Sequence, residues 1–354
     1  MSENPAPKSL EVPSSKLHLR DKVDASISLD SRNKEGANIS LALRNKVDVR
    51  NKLDAPHAGK DSPLYRIIAR KTGSDTNLPD VRLLDYSSLW SAKWWGLDSS
   101  STFMKLSEQQ QVEILSQCNQ SLLTEAYFIE KSGLAYSAKM ILTAEGTDEA
   151  QLFALIGADE ARHLAWIEPY LPAQCKQLPQ GHFLSFLSSL IEEYPPHLLV
   201  YLVQVILEGW GLDHYMRLAK ACTHTNLSRI LGVICKEEAL HHRSGAVLFS
   251  SARISERDYS LIEDALQNYT MMVRVGPQGA LAIVDKVVGG LNHNELQNVL
   301  AALRHEEETP RKLELLRKLM SQPQVESLVQ TLEAERCFLP TSLPEAADCY
   351  LSAL

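Results

Sequence analysis

No apolar run in this chain approaches the roughly 18–20 residues needed to span a bilayer, so a membrane-crossing segment is not expected. The stretch from Met1 to Ser15 is polar and contains proline, with no apolar centre, and does not read as a secretory signal. The six cysteines (Cys118, Cys175, Cys222, Cys235, Cys337, Cys349) are scattered, and none forms C-x-x-C or a zinc-ribbon or rubredoxin spacing. They read as reduced thiols packed as small hydrophobes, and a cytoplasmic location is expected. No βαβ pattern, no G-x-G-x-x-G and no G-x-x-x-x-G-K-[ST] occurs, which leaves nucleotide-binding folds without support. There is no excess of positive charge: 36 Lys and Arg face 44 Asp and Glu, a net charge of −8 with a pI near 5.8. Nucleic acid and anionic membrane are therefore not expected as partners. What is present is the make-up of an ordinary globular protein, 44% apolar and 23% charged, in 354 residues that leave room for one or two domains.

Residues 1–80 differ from the rest. They are polar and show no 3.6-residue period, and the phrase Leu19-Arg-Asp-Lys-Val-Asp24 returns as Leu43-Arg-Asn-Lys-Val-Asp48 and, shortened, as Arg50-Asn-Lys-Leu-Asp54. Alternation around 25–29 and 38–43 suggests a small hairpin, an extended arm or a disordered segment. Residues 81–354 form the expected helical domain, with a core bundle over about 106–253 and accessory helices over 254–354. Helices are expected at 108–143, 148–170, 183–194, 197–222 and 227–253, then at 256–274, 279–288, 294–320 and 324–335. Thr147-Asp148, Thr225-Asn226 and Ser255 stand where N-caps belong. The expected class is all-α.

The informative feature is an internal repeat. Glu130-Lys-Ser-Gly133-Leu134 matches Glu208-Gly-Trp-Gly211-Leu212, both E-x-x-G-L, and Asp159-Glu160-Ala-Arg-His163 matches Glu237-Glu238-Ala-Leu-His241, both [DE]-E-A-x-H. Every pair is 78 residues apart, as are Thr147 and Thr225 at the helix starts. Glu and His at i, i+3 lie on one helix face and can reach the same ion. The Glu 30 residues earlier falls on the preceding antiparallel helix, and a chain that runs out, turns and returns over that distance comes back to the same level. Two such hairpins, face to face, bring four carboxylates and two imidazoles to one point. A single Glu-x-x-His means little, but the only two in this chain are each preceded at 30 residues by E-x-x-G-L. Burying that many carboxylates without cations costs several kcal/mol per ion.

On these motifs the sequence resembles the ferritin-like di-iron carboxylate superfamily over about 106–253, and the Asp-Glu-Ala-Arg-His phrase is most similar to its oxygenase and oxidase branches. The resemblance implies a ferritin-like four-helix bundle and two iron ions, with manganese as the other candidate. It implies Glu130 and His163 on one ion, Glu208 and His241 on the other, and Glu160 and Glu238 bridging. The acids preceding each helical Glu are placed to orient the imidazole of the opposite hairpin, Asp159 to His241 and Glu237 to His163, with Arg162 neutralising excess negative charge.

Neighbouring residues compete for these roles. Glu125 lies about 140° around the helix from Glu130 and has no partner at the repeat offset. His242 departs from the i+3 template of the first half. Gly133 and Gly211 cost roughly 1 kcal/mol each in helix propensity, and either permit close helix packing or leave room for O2 and substrate. Tyr215, on the ligand face, is a core tyrosine or a redox-active one. Tyr136, Trp166 and Trp210 read as packing, and Trp90, Trp94 and Trp95 as anchors of the segment before the bundle. His182, His214 and His224 read as surface or satisfied histidines, and the run Arg304-His-Glu-Glu-Glu308 as a solvated helix face.

Within the superfamily three activities compete. About 105 residues before the bundle and about 100 after it suit a substrate pocket better than a storage protein, and no rubredoxin module accompanies the bundle. The resemblance therefore implies an O2-dependent non-haem di-iron oxygenase or oxidase, with a small organic substrate and an external electron donor, possible as a homodimer. Hydroxylation, N-oxygenation, desaturation, halogenation and C–C cleavage stay open, because the third histidine of the aryl-amine N-oxygenases is replaced by Ile234. A ferroxidase or rubrerythrin-like peroxide-reducing protein is the alternative. A catalytically silent metal-binding bundle is the second.

Overall fold

A long helix begins at a residue that can cap it and ends where the chain must turn. Ser107 accepts from Gln110 N, and the Gln110 side chain accepts from Ser107 N, which closes a capping box at the start of Glu108–Thr143. The computed structural model describes residues 50, 51, 53, 55, 56, 61–73, 83–177 and 181–353. All of them fall in one compact unit that begins at Asn45. The hairpin expected around 25–43 lies outside the described residues, which contain no strand.

The main helices are α1 (Pro63–Thr72), α2 (Glu108–Thr143), α3 (Thr147–Ile167) and α4 (His182–Glu193), then α5, a continuous rod of three segments (Pro196–Leu199, Val200–Glu208 and Gly209–Ala221). They continue as α6 (Thr225–Ser250), α7 (Glu256–Arg274), α8 (Gln278–Val288), α9 (His293–Ala302), α10 (His305–Met320), α11 (Glu326–Ala334) and α12 (Leu343–Ser352). One-turn helices at Tyr86–Leu89, Ala92–Trp95 and Ser101–Met104 lead into α2. No helix among the described residues is long and apolar enough to cross a membrane.

Two hairpins build the centre. α2 packs along α3, α5 along α6, and the hairpins meet through α3 and α6. Asp159 pairs with His241 and Glu237 with His163, so α3 and α6 run antiparallel. The apolar side chains fall in two layers with the acid-rich level between them. One layer joins Leu123, Tyr127, Leu164, Ile167, Leu227 and Ile234; the other joins Tyr136, Phe153, Ile156, Tyr201, Val205 and Phe249. Lys139 is buried, yet its Nζ donates to the carbonyls of Ile191 and Tyr194, each at 2.7 Å, and so closes the end of α4 against α2.

The expected anchors are in place. Trp90 is fully buried and donates to the Leu218 carbonyl at 3.0 Å, while Trp95 donates to Asn119 Oδ1 at 2.8 Å. Asn119 in turn donates to the carbonyls of Tyr86 and Trp90.

Several expectations need correction. The arm is not wholly non-helical: Pro63–Thr72 is a helix capped by Ser62, with Gly73 in the left-handed region at its end. Asn51 and Leu53 are buried against the bundle, and Lys131 Nζ donates to the carbonyls of Leu53 and Ala55. The helix expected over 294–320 breaks in two at Arg304, whose φ of 59° turns the chain while its guanidinium donates to the Lys93 carbonyl. The run 304–308 is a solvated face only at Glu306 and Glu307. His305 is buried and bonds the Thr341 carbonyl at 2.7 Å, and Glu308 accepts two 2.8 Å bonds from Arg217. α12 was not expected at all. The cap at the start of α6 is not Thr225 or Asn226 but His224, whose Nδ1 accepts from Leu227 N at 3.2 Å.

Candidate metal centre

Glu130 on α2, Glu160 and His163 on α3, Glu208 on α5, and Glu238 and His241 on α6 converge midway along the two hairpins. Ligand atoms of Glu130, Glu160, His163 and Glu238 lie within 4.8 Å of one another, and so do those of Glu160, Glu208, Glu238 and His241. Glu160 and Glu238 thus belong to both groups. Together these side chains form a buried Glu/His cluster able to hold metal.

The imidazoles are held from behind. His163 Nε2 lies 2.7 Å from Glu237 Oε2, and His241 Nε2 lies 3.2 Å from Asp159 Oδ2. Each outer acid therefore serves the histidine of the other hairpin and turns its Nδ1 towards the carboxylates. Arg162 joins the two acids, bonding Asp159 and, at 3.0 Å, Glu237 Oε1. Its guanidinium also lies 6.0 Å from the Trp166 ring.

Inside, His163 Nδ1 is 3.0 Å from Glu130 Oε2 and 3.2 Å from Glu238 Oε1. His241 Nδ1 is 3.4 Å from Glu160 Oε1 and 3.3 Å from Glu238 Oε2, but off the direction of a hydrogen bond, so this buried nitrogen has no hydrogen-bond partner. Glu208 Oε2 is likewise buried without one. A buried carboxylate oxygen and a buried imidazole nitrogen left unpaired beside other carboxylates fit a cation between them.

The electrostatics point the same way. Burial, then the charge of Glu238, pushes the Glu160 carboxyl up to about 8, and the same two causes raise Glu208 well above the usual carboxylate range. Burial works against the charged form of Glu238 too, but the close approach of the His163 and His241 imidazoles outweighs it and holds that carboxyl low. Both imidazoles are raised above their ordinary value despite burial, His163 chiefly by Glu130 and His241 chiefly by its bond to Asp159. Protons on the histidines and on one or two carboxyls thus balance charge in the metal-free chain.

One feature was out of reach of the spacing, and one residue that the spacing put on the ligand face gains a partner. Val200–Glu208 is π-helical rather than α-helical and ends on Glu208; π-helical turns concentrate at functional sites. Tyr215, buried, hydrogen-bonds Glu130 and so ties α5 to α2 across the cluster. Of the competing residues, Glu125 is exposed, and His242 bonds the Gln204 carbonyl at 3.2 Å instead of entering the cluster. His182 and His214 take no part in it.

The paired glycines have different roles. A Cβ on Gly133 would lie 2.2 Å from Glu160 Oε2, so its missing side chain is the space the carboxylate occupies; a Cβ on Gly211 would meet nothing within 4 Å. Gly133→Ala is expected to displace Glu160 and weaken metal binding by about tenfold or more, an effect on the scale of disturbed ligand support. Gly211→Ala should leave binding unchanged and raise stability by about 0.5–1 kcal/mol. Parallel metal titrations and thermal melts of the two variants check this, and equal affinities would remove the assigned role of Gly133.

Compared with family models, curated proteins and solved structures, the chain matches none. A surface pocket of about 420 Å³ lined by Leu84, Ser88, Thr223 and His224 sits beyond the far end of α5, roughly three or more helical turns from Glu208, and contributes nothing to the cluster.

Proposed function

We propose that this chain is an O2-dependent non-haem di-iron oxidoreductase on a ferritin-like bundle, acting on a small organic substrate. The observation that carries the reading is the sharing of Glu160 and Glu238 between two ligand groups, each completed by its own Glu and His. In this reading Glu130 and His163 would hold one ion and Glu208 and His241 the other, with Glu160 and Glu238 available to both. Oxygen and imidazole donors without thiolate suit iron or manganese better than zinc.

When bound, a pair of ferrous ions supplies the redox and Lewis-acid chemistry that dioxygen reduction needs. The chain supplies the surroundings. Asp159 and Glu237 fix the imidazole orientation, and Arg162 keeps both acids in place. The apolar layers on either side keep bulk water from the centre. Gly211, one turn from Glu208, carries no side chain, and a Cβ there would meet nothing within 4 Å. For hydroxylation the balance is R–H + O2 + two electrons + two protons → R–OH + H2O, with the electrons from an external donor. Six unpaired thiols suit a reducing, cytoplasmic compartment.

The test is anaerobic loading with Fe(II), followed by O2 with and without a panel of organic substrates. About two Fe(II) per chain and substrate-dependent product are expected. Growth of a ferric mineral without substrate would instead assign a ferroxidase, and rapid peroxide consumption a peroxide-reducing protein. Iron bound with no O2 uptake would leave the metal a structural role.

A further inference from the structure

One level beyond the carboxylates, towards the turn between α2 and α3, the core turns polar again. Ser137 on α2 lies against Gly157 of α3, where an added Cβ would come within 3.1 Å of the Ser137 Cβ. Gln204, inside the π-helical segment of α5, lies against Gly245 of α6, where an added Cβ would come within 2.4 Å of the Gln204 Cβ. Ser137 follows Glu130 by two helical turns, Gly157 precedes Glu160 by one, Gln204 precedes Glu208, and Gly245 follows His241 by one. With α2 antiparallel to α3, α5 to α6 and α3 to α6, these positions share one level, on the Glu208 side of the cluster.

Several polar atoms at this level lack protein partners. Gln204 Nε2 reaches the His241 carbonyl and Ser244 Oγ, each at 3.4 Å, which leaves its Oε1 as an acceptor with nothing to accept from. Ser137 Oγ and Tyr136 OH are also buried and unpartnered. Gln204 is fully buried, and Ser137 and Tyr136 are 1% exposed. Burial keeps the Tyr136 hydroxyl in its neutral, proton-bearing form. Buried polar groups are normally paired, and several orphans of mixed donor and acceptor character on one level call for a small protic ligand that bridges them.

We propose that Ser137, Gln204 and Tyr136 frame an internal hydration site beside Glu208, and that water held there carries protons to the carboxylate cluster. Water suits the partners: it accepts from the Ser137 and Tyr136 hydroxyls and donates to Gln204 Oε1 and Glu208 Oε2. Its use in turnover rests on the oxidoreductase reading; the hydration site itself does not. In hydroxylation two protons must reach a centre enclosed by apolar layers. Each passes as a hop: water gives one proton towards the cluster and regains one from its neighbour, with no net charge left behind. Gln204 and Ser137 are positioning residues in this scheme, because they hold the carrier and do not touch substrate.

The test has two arms. In the metal-free full chain, high-resolution crystal density and oxygen-17 relaxation dispersion should show a long-lived internal water in contact with Ser137 and Gln204. That water should be lost in Gln204→Leu and weakened in Ser137→Ala, which spares the π-helical segment if the first variant folds poorly. In the iron-loaded protein both variants should keep wild-type iron content yet consume O2 about tenfold more slowly, with an enlarged solvent deuterium isotope effect. A dry level in the wild type overturns the hydration site. Water present in the wild type, with rates and isotope effects unchanged in both variants, overturns the proton role. If the wild type consumes no O2 at all, the oxidoreductase reading and the proton role fall together, while the first arm still decides the hydration site.

Discussion

Glu160→Ala and Glu238→Ala are each expected to take the anaerobically loaded chain from about two ferrous ions to fewer than one, because each carboxylate serves both ligand groups. Glu130→Ala should behave differently. The group of Glu160, Glu208, Glu238 and His241 does not include Glu130, so one ion should remain. Glu208→Ala should remove the other ion and leave the His163 side occupied. Asp159→Ala leaves every ligand in place but frees the His241 ring, and should weaken binding by about 10–100-fold without changing stoichiometry at saturation. Glu125→Ala should bind as the unaltered chain does, since that side chain is exposed. Iron content after gel filtration, read beside far-ultraviolet circular dichroism to exclude unfolding, distinguishes these cases. If Glu130→Ala and Glu160→Ala lose the same number of ions, the division into two groups with shared carboxylates is wrong.

What made the cluster legible was repetition. A lone Glu-x-x-His has no weight, but the offset of 78 residues fixes which Glu, which His and which preceding acid belong together. The structure gathers those six side chains, and it sets Asp159 on His241 and Glu237 on His163, a pairing that follows once two hairpins face each other. Helix limits in the bundle were legible for the same reason that caps are: Ser107 and Gln110 close their box where periodicity begins. Ser62-Pro63 and Gly73 mark α1 in the same way, and Ser342 with Glu345 marks α12; both signals are short and lie in stretches without a strong apolar period. Other features depend on distant contacts. The left-handed turn at Arg304 is held by Lys93, more than two hundred residues away, and nothing local announces it. The π-helical segment is an apolar run that reads as α-helix, and two of its carbonyls take partners from distant helices, Gln204 from His242 and Leu202 from Tyr269.

Raising the pH from about 5.5 to about 8 should destabilise the metal-free chain and widen its stability gap from the metal-loaded one. Glu160 is raised from 4.5 to about 8 by burial and by Glu238, and Glu208 is raised by the same causes. Across that interval the folded chain keeps protons that the unfolded chain has released, so stability falls as pH rises. His163 and His241 act in the same direction: their raised values contribute stability that is complete below 6.5 and is lost as pH climbs through the folded values. Asp159, Glu237 and Glu238 are lowered, and their contribution disappears only as pH falls through those lower values, beneath this window. One net proton is worth about 1.4 kcal/mol per pH unit, or roughly 2 °C in Tm for a chain of this length. Metal reverses the sign, because it binds neutral imidazoles and ionised carboxylates and expels the protons, so its affinity grows with pH. Calorimetry of the chain with and without Mn(II), which stays divalent in air, should therefore give a Tm difference that increases steadily from the acid to the alkaline end. A constant difference, or a metal-free chain more stable at pH 8 than at 5.5, would mean that protons do not occupy the place of the metal charge in this core.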